Sequence, residues 1–290
     1  MSISREPSDF TPVPGALSLR VLSSLAEMDA ISANWSELET SCSDVMTYYQ
    51  GYDWCRNWIA VVSKEAGDAQ PHVVTVWLGP KLIALLPLMV THATGGVRVL
   101  GNLGEPHSQY SGILTDPVLY NDAASTLLSD YLRKAAGCDL VNLDLVPQSS
   151  LLNAIASKAC ALTGIPNENS VLDLTHFASS KDYLASLAGS KAKNRDKRRR
   201  KLEKNFGTLA FREVWAGEPE FGQLVKSCID MKKIWLAETG RISTGFALTS
   251  YGDFLASLSG DRTTREGLVA LVLSAGERVI AIEISMIRKG

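Results

Sequence analysis

VVTVWLGPKLIALLPLM, residues 73–89, decides how this chain is read. Two apolar runs rich in β-branched residues, 72–78 and 81–90, stand on either side of Gly79-Pro80. Runs of that kind, broken by a Gly-containing pair, form a strand hairpin. LVALVLSAGERVIAIEISM, residues 268–286, has the same build, with runs 267–274 and 278–287 joined by Ala275-Gly276-Glu277. Asp53-Trp54 opens a short helix ahead of the first hairpin, and Asp253-Phe254 opens one ahead of the second. Further upstream, a longer helix carries Trp35 in one half and Trp235 in the other, each at a spacing that predicts burial. Self-similarity of this kind points to two copies of one sheet-and-helix unit.

Outward from the hairpins, strands and helices alternate. Ser24-Leu25-Ala26-Glu27 is a capping box, and Leu25, Met28, Ile31, Trp35 and Leu38 then share one helical face. A helix over 53–62 carries Trp54, Trp58 and Val62. Strand pieces are expected at 97–100 and 111–115, joined by the loop 101–110. A helix over 123–135, a strand over 140–146, a helix over 151–162 and a short strand over 171–174 follow. Residues 179–206 read as a very basic helix, 209–214 as a strand, 221–238 as a helix with Leu224, Cys228, Met231 and Trp235 in one stripe, and 251–258 as a helix. The pattern predicts an α/β fold with a mixed sheet. It divides into a flexible Ser/Pro-rich segment 1–16, a first lobe 17–176, a basic helical connector 177–208 and a second lobe 209–290. After the second hairpin only Arg288-Lys289-Gly290 remain, so the second lobe is expected to be incomplete, with a hairpin edge that needs cover.

Composition narrows the class. The net charge of −2, from 29 basic and 31 acidic residues, argues against a protein that is basic throughout. Cys42, Cys55, Cys138, Cys160 and Cys228 are odd in number with no CxxC pair, so neither a disulfide framework nor a zinc site is expected, and reduced thiols in a cytoplasmic protein are. Residues 1–16 lack the charged start and apolar run of a secretory signal. The longest apolar stretch, 82–90, contains Pro87 and falls far short of a membrane span.

With these features in place, the chain resembles the CelD/BcsL-type acetyltransferases, relatives of the FemAB aminoacyltransferases within the GNAT superfamily. The resemblance rests on YDWCRNWIAVV, VVTVWLGPKLIALLPLMV, VRVLGNLGEPHSQYSGILTDP, DLVNLDLVPQSSLL, YLASLAGSKAKNRDKRRRKLEKNFGTLAF, MKKIWLAETG and ERVIAIEISMI, and covers roughly residues 20–290. It implies two tandem GNAT-like lobes and acetyl-CoA or another acyl-CoA as co-substrate, with no metal. It also implies transfer to an amine or hydroxyl of a polysaccharide or cell-envelope precursor, as in cellulose or exopolysaccharide biosynthesis. The superfamily's phosphate loop, Gln/Arg-x-x-Gly-x-Gly/Ala before a helix, has two near misses here: Arg98 to Leu103 and Gln109 to Leu114. Both end in Leu and neither directly opens a helix, so both are expected to be structural turns.

The basic run is the sharpest local feature. Lys191 to Lys204 holds nine basic and two acidic residues, which leaves the rest of the chain acidic. At 100° per residue Lys191, Arg195 and Arg198 fall with Leu202, the face expected to meet the protein body. Arginines there need anions, either the surplus carboxylates elsewhere in the chain or the phosphates of a ligand, and Arg195 and Arg198, with Lys191, are the candidates to hold substrate or cofactor phosphates. Candidates for a general base are Glu283, a carboxylate within the apolar run AIEISMI, and His107 and Tyr110 in the loop GEPHSQYSG. No GxSxG, HExxH, Walker A or EF-hand pattern occurs.

Three functions compete at this level. An acyl-CoA-dependent N- or O-acyltransferase leads. A non-catalytic binding or assembly protein on a degenerate acyltransferase fold is second. Nucleic-acid binding through the basic helix is third and is not expected, because only Phe206 lies near the run to stack on bases.

Overall fold

The structure of the chain, a computed structural model, describes residues 15–42, 45–134, 137–161, 164, 168, 170–187 and 189–288, without the side chains of 45 and 190–192. It is an α/β protein with two sheets. The chain divides into two units. One comprises Met1–Leu162, Ser243–Phe254 and Arg288–Gly290, and the other Thr163–Ile242 and Leu255–Ile287.

The first unit opens with β1 (Leu17–Leu22), a strand the apolar pattern did not announce. Ser24 then caps α1 (Leu25–Ala30). Its Oγ accepts the Glu27 N–H at 3.2 Å, while the Glu27 carboxylate accepts the Ser23 N–H at 2.6 Å. The sequence spacing predicts one helix through Leu38. The chain instead leaves helical geometry at Ile31 (φ −109°, ψ 13°) and restarts as α2 (Ser32–Ser41). The break lets Met28 in one piece and Trp35 and Leu38 in the other all reach the core. A 3-10 turn (Val45–Gln50) leads to α3 (Tyr52–Val61), which buries Trp54, Cys55, Trp58 and Ile59.

The decisive hairpin is β2 (Gln70–Leu78) and β3 (Lys81–His92). β3 is central, which is why residues 82–90 are buried on both faces. β4 (Arg98–Asn102), β5 (Leu114–Thr115), α4 (Asp122–Lys134), β6 (Leu140–Asn142) and α5 (Leu151–Ala156) complete the unit. The strand order is β1-β2-β3-β4-β6, with β5 also on β3. All pairs are antiparallel except β4 with β6. Pro87 inside a central strand would ordinarily cost a ladder bond. Its C=O accepts the Leu103 N–H, and its missing N–H points to the same edge, where β5 pairs Ala84 and Leu85 and β4 begins only at Leu88. Val74, Val76, Ala84, Leu86, Leu88 and Leu100 of the sheet pack with Leu128, Leu132, Leu152 and Ile155 of α4 and α5. α2 lies against β3.

The second unit begins with α6 (Ser180–Ser186) and α7 (Gly189–Phe206). One helix was expected over both, but Leu187 is extended (φ −68°, ψ 138°) and separates them. Residues 171–174, expected as a strand, form none, and Val171, Leu172 and Leu174 are exposed. β7 (Leu209–Trp215), α8 (Phe221–Thr239), β8 (Gly260–Asp261), β9 (Glu266–Ala275) and β10 (Arg278–Ile287) follow, while α9 (Tyr251–Ser257) belongs to the first unit through Phe254 and to the second from Leu255. The order is β10-β9-β7, all antiparallel, with β8 also on β9.

The two hairpins match in detail. Leu78 pairs Lys81 across Gly79-Pro80, and Ala275 pairs Arg278 across Gly276-Glu277. The first loop residue is glycine at φ 58° in one and φ 57° in the other, as a type II′ turn requires. In each, the third residue of the second strand, Ile83 or Ile280, is an extra one that the partner strand skips, a β-bulge at the same place. In both sheets the strand before the helices pairs with the hairpin's first strand.

Trp35 is buried, and its Nε1–H donates to the Gln50 carbonyl at 3.0 Å. Trp235, expected to be its buried counterpart, is 38% exposed. The stripe of α8 is covered at Leu224 and Val225 and open from Met231 onward.

Candidate functional site

Residues 102–112 of the first unit leave β4 and are held from several sides. Asn102 is buried, and its Nδ2 donates to Glu105 Oε1 and to the Asp144 carbonyl, both at 3.0 Å. It thereby bridges the ends of the parallel pair β4 and β6 just past the last paired residues, Gly101 and Asn142. Gly104 adopts φ 97°, and a Cβ there would lie 2.2 Å from Ser108 Oγ and 2.8 Å from Trp54 Nε1. That close approach lets Trp54 Nε1–H donate to Ser108 Oγ at 3.0 Å while Ser108 Oγ–H donates to the Leu103 carbonyl at 3.1 Å.

His107 lies in the same loop. Trp58 Nε1–H can only donate, so His107 Nδ1 accepts from it at 3.0 Å. The Gly245 carbonyl can only accept, so His107 Nε2 carries the proton and donates at 3.0 Å. The Tyr251 ring stacks on the imidazole at 4.1 Å and 1°. Burial lowers the proton affinity of the ring, although the Gly245 carbonyl opposes the shift. Both nitrogens of the neutral ring are therefore occupied, and neither is free to take a proton from a nucleophile. The arrangement makes His107 a clasp between the loop and residues 243–254, in place of the general base expected from sequence. Glu65 fastens the same segment. Its carboxylate accepts the N–H and hydroxyl of both Thr249 and Ser250, between 2.6 and 2.9 Å, and these bonds, that from the Ser250 hydroxyl first, bring its pKa down to about 2.

Tyr110 is half-buried. Its carbonyl accepts Gln50 Nε2–H at 2.9 Å, and its ring lies 6.1 Å from that of Tyr49. Gln50 Oε1 is buried without a hydrogen-bond partner among the described residues.

Glu105 was not singled out from sequence. It is half-buried at the end of β4, and burial raises its proton affinity, as does the charge of Asp144, against the Asn102 amide that holds the charged form. A carboxyl whose proton affinity is raised is a better proton acceptor than an ordinary one. The signal available in the sequence was its place in the loop 101–110 after a strand, between Gly104 and Pro106. The near-miss phosphate loops lead to no helix. Arg98 to Asn102 is β4 itself rather than a turn, and Gly112 packs against Gln50 ahead of β5. The N-terminus of α4 is closed by its own chain, because Asn121 Oδ1 accepts the Ala124 N–H at 3.1 Å and Asp122 adds a negative charge there.

In the second unit Glu283 is exposed on β10 and accepts the Ser285 hydroxyl at 3.1 Å. Arg195 and Arg198 are exposed, and the half-buried positions of α7 among the described side chains are Asp196, Leu202 and Glu203. The arginines thus do not form the body-facing stripe expected of them. Leu202 alone is too small an apolar signal to orient a helix of eighteen residues. The Lys191 side chain lies outside the described residues. Among the described residues no group of three or more His, Cys, Asp or Glu is placed to hold a metal, and no helix is long and apolar enough to cross a membrane. All five cysteines are free thiols. Compared with protein-family models the chain matches none, and no curated protein matches it either.

Proposed function

We propose that the chain is an acyl-CoA-dependent N- or O-acyltransferase of tandem GNAT-like architecture, acting on a glycan or cell-envelope precursor. The observation that carries this reading is the arrangement of the sheets. A strand, helices and a bulged hairpin occur in the same order in both units. In the first, an antiparallel sheet then turns parallel at β4 and β6, whose pairing ends at Gly101 and Asn142, beside the Asn102 amide. In open sheets the carboxyl ends of parallel strands are where ligands are commonly bound.

In this reading the acceptor amine or hydroxyl attacks the thioester carbonyl, and a nitrogen–carbon or oxygen–carbon bond forms. The carbon–sulfur bond breaks and coenzyme A departs as its thiolate, which takes up a proton from solvent. Glu105, with its raised proton affinity, takes the proton of the nucleophile. The exposed Arg195 and Arg198 are available to phosphates, whereas the capped and acidic start of α4 is a poor anion site.

Titration of acetyl-CoA into the full chain by calorimetry tests the reading. Saturable binding is expected, and Glu105→Gln should keep that binding while slowing transfer by about 10²–10⁴-fold. Absence of acetyl-CoA binding would leave the second reading, a non-catalytic scaffold. That reading draws on the clasped His107 and the closed α4 terminus.

A further inference from the structure

The last turns of α8 stand out among the exposed surfaces. Met231, Ile234 and Trp235 lie at i, i+3 and i+4, one face of a helix, and are 40%, 58% and 38% exposed. Ile242, just past the helix, is 96% exposed. A helix normally turns such a face inward, and here the first half of α8 does so, with Phe221, Leu224, Val225 and Ile229 buried. The helix then outruns whatever covers it.

Its end is shaped by Gly240, whose left-handed backbone (φ 63°) lets the Arg241 N–H reach the Leu236 carbonyl at 3.0 Å and the Gly240 N–H reach that of Ala237. The turn brings the Arg241 guanidinium to 5.1 Å from the centre of the Trp235 ring, which Lys232 Nζ approaches to 4.0 Å. Lys233 adds a third exposed cation. The result is a tryptophan flanked by cations and bordered by aliphatic side chains.

We propose that this end of α8 docks on an anionic lipid bilayer surface, with Ile234, Trp235 and Ile242 entering the interface and Lys232, Lys233 and Arg241 meeting the headgroups. Tryptophan favours the interface between headgroups and acyl chains, and basic side chains beside it are drawn to anionic lipids. The charge distribution favours the same partner. Between Asp230 and Arg241 the exposed cations Lys232, Lys233 and Arg241 outnumber the exposed carboxylates Asp230 and Glu238, and two of the cations lie on the Trp235 ring, so the face itself is positive. A second copy fits less well, because a two-fold contact through this face would set the same cations against each other. A nucleic acid would use the cations and Trp235 but leave Met231, Ile234 and Ile242 without a role. The inference does not depend on acyl transfer.

The test is co-sedimentation of the full chain with phosphatidylcholine vesicles and with vesicles that also contain phosphatidylglycerol. Binding to the anionic vesicles is expected to weaken with added salt. Trp235→Ala and Ile234→Ser should each lower it about tenfold without altering the circular dichroism of the chain. Lys232→Gln with Arg241→Gln should remove the preference for anionic lipid. Failure of the unmodified chain to bind anionic vesicles overturns the proposal. So does binding that Trp235→Ala and Ile234→Ser leave unchanged, or a self-association that these substitutions abolish while vesicles have no effect.

Discussion

Replacing Trp58 by phenylalanine removes one hydrogen-bond donor, and the structure says what that donor does. The indole N–H satisfies His107 Nδ1 at 3.0 Å in a site where His107 is 6% exposed. Without it a buried acceptor has no donor, which costs about 1–3 kcal/mol. The smaller ring leaves a void, and Trp58 is fully buried, so about 1–2 kcal/mol more is lost. Trp58→Phe should therefore destabilise the first unit by about 3 kcal/mol near pH 8. The pH dependence identifies the cause. Burial depresses the folded-state pKa of His107 below its ordinary value of 6.5. Its contribution to stability is complete above 6.5 and is lost as pH falls through the depressed folded value, with a slope of at most about 1.4 kcal/mol per pH unit. In the variant, Nδ1 is no longer held by a donor and can accept a proton. The folded-state pKa then rises towards 6.5 and that acid loss shrinks. The gap between variant and parent should narrow between about pH 7 and about pH 5. Urea unfolding followed by far-ultraviolet circular dichroism at several pH values measures it. Taking the difference between the two proteins cancels His72, whose pKa burial also lowers, and Glu39 and Glu105, whose pKa values burial raises. A gap under about 0.5 kcal/mol, or one that does not change with pH, would refute the reasoning.

Gly104→Ala should be among the most damaging single changes in the first unit, because the added methyl meets Ser108 Oγ at 2.2 Å on a backbone already at φ 97°. A loss of more than about 3 kcal/mol is expected in the same unfolding assay, and a neutral outcome would show that the loop can re-form elsewhere. Glu65→Ala should free residues 243–254, read as faster limited proteolysis within them at neutral pH. The pKa of Glu65 is depressed, so the restraint is present above the ordinary 4.5 and disappears as pH falls towards about 2, where variant and parent should be cleaved alike.

Much of the fold is legible in the sequence where burial is two-sided or the turn chemistry is specific. β3 reads as a continuous apolar run because it is the middle strand, and Gly79 and Gly276 mark their turns because each loop needs a positive φ. The expected strand at 171–174 fails because a short apolar run with no neighbouring strand has nothing to pair with. The helix expected over 151–162 stops at Ala156, and Leu162 lies outside the described residues. In α8 the periodicity correctly gives the apolar face, but periodicity cannot tell whether anything covers it, so Trp235 is misjudged while Leu224 is not. His107 poses the opposite difficulty. As a loop histidine it invites a catalytic reading, and the carbonyl that occupies its Nε2 lies 138 residues away. Glu105 was overlooked because its proton affinity comes from burial and from Asp144, both products of the folded sheet.

The assignment of residues 243–254 to the first unit bears on synthesis. A ribosome delivers the amino-terminal portion first, yet the carbonyl that completes the imidazole clasp, the hydroxyls that grip Glu65 and the ring that stacks on His107 all emerge after α8. Until then His107 and Glu65 lack these partners, and incompletely packed nascent chains are vulnerable to aggregation. Neither unit can be excised as one continuous fragment. A truncation ending before residue 243 would leave the first unit without the strap that closes it.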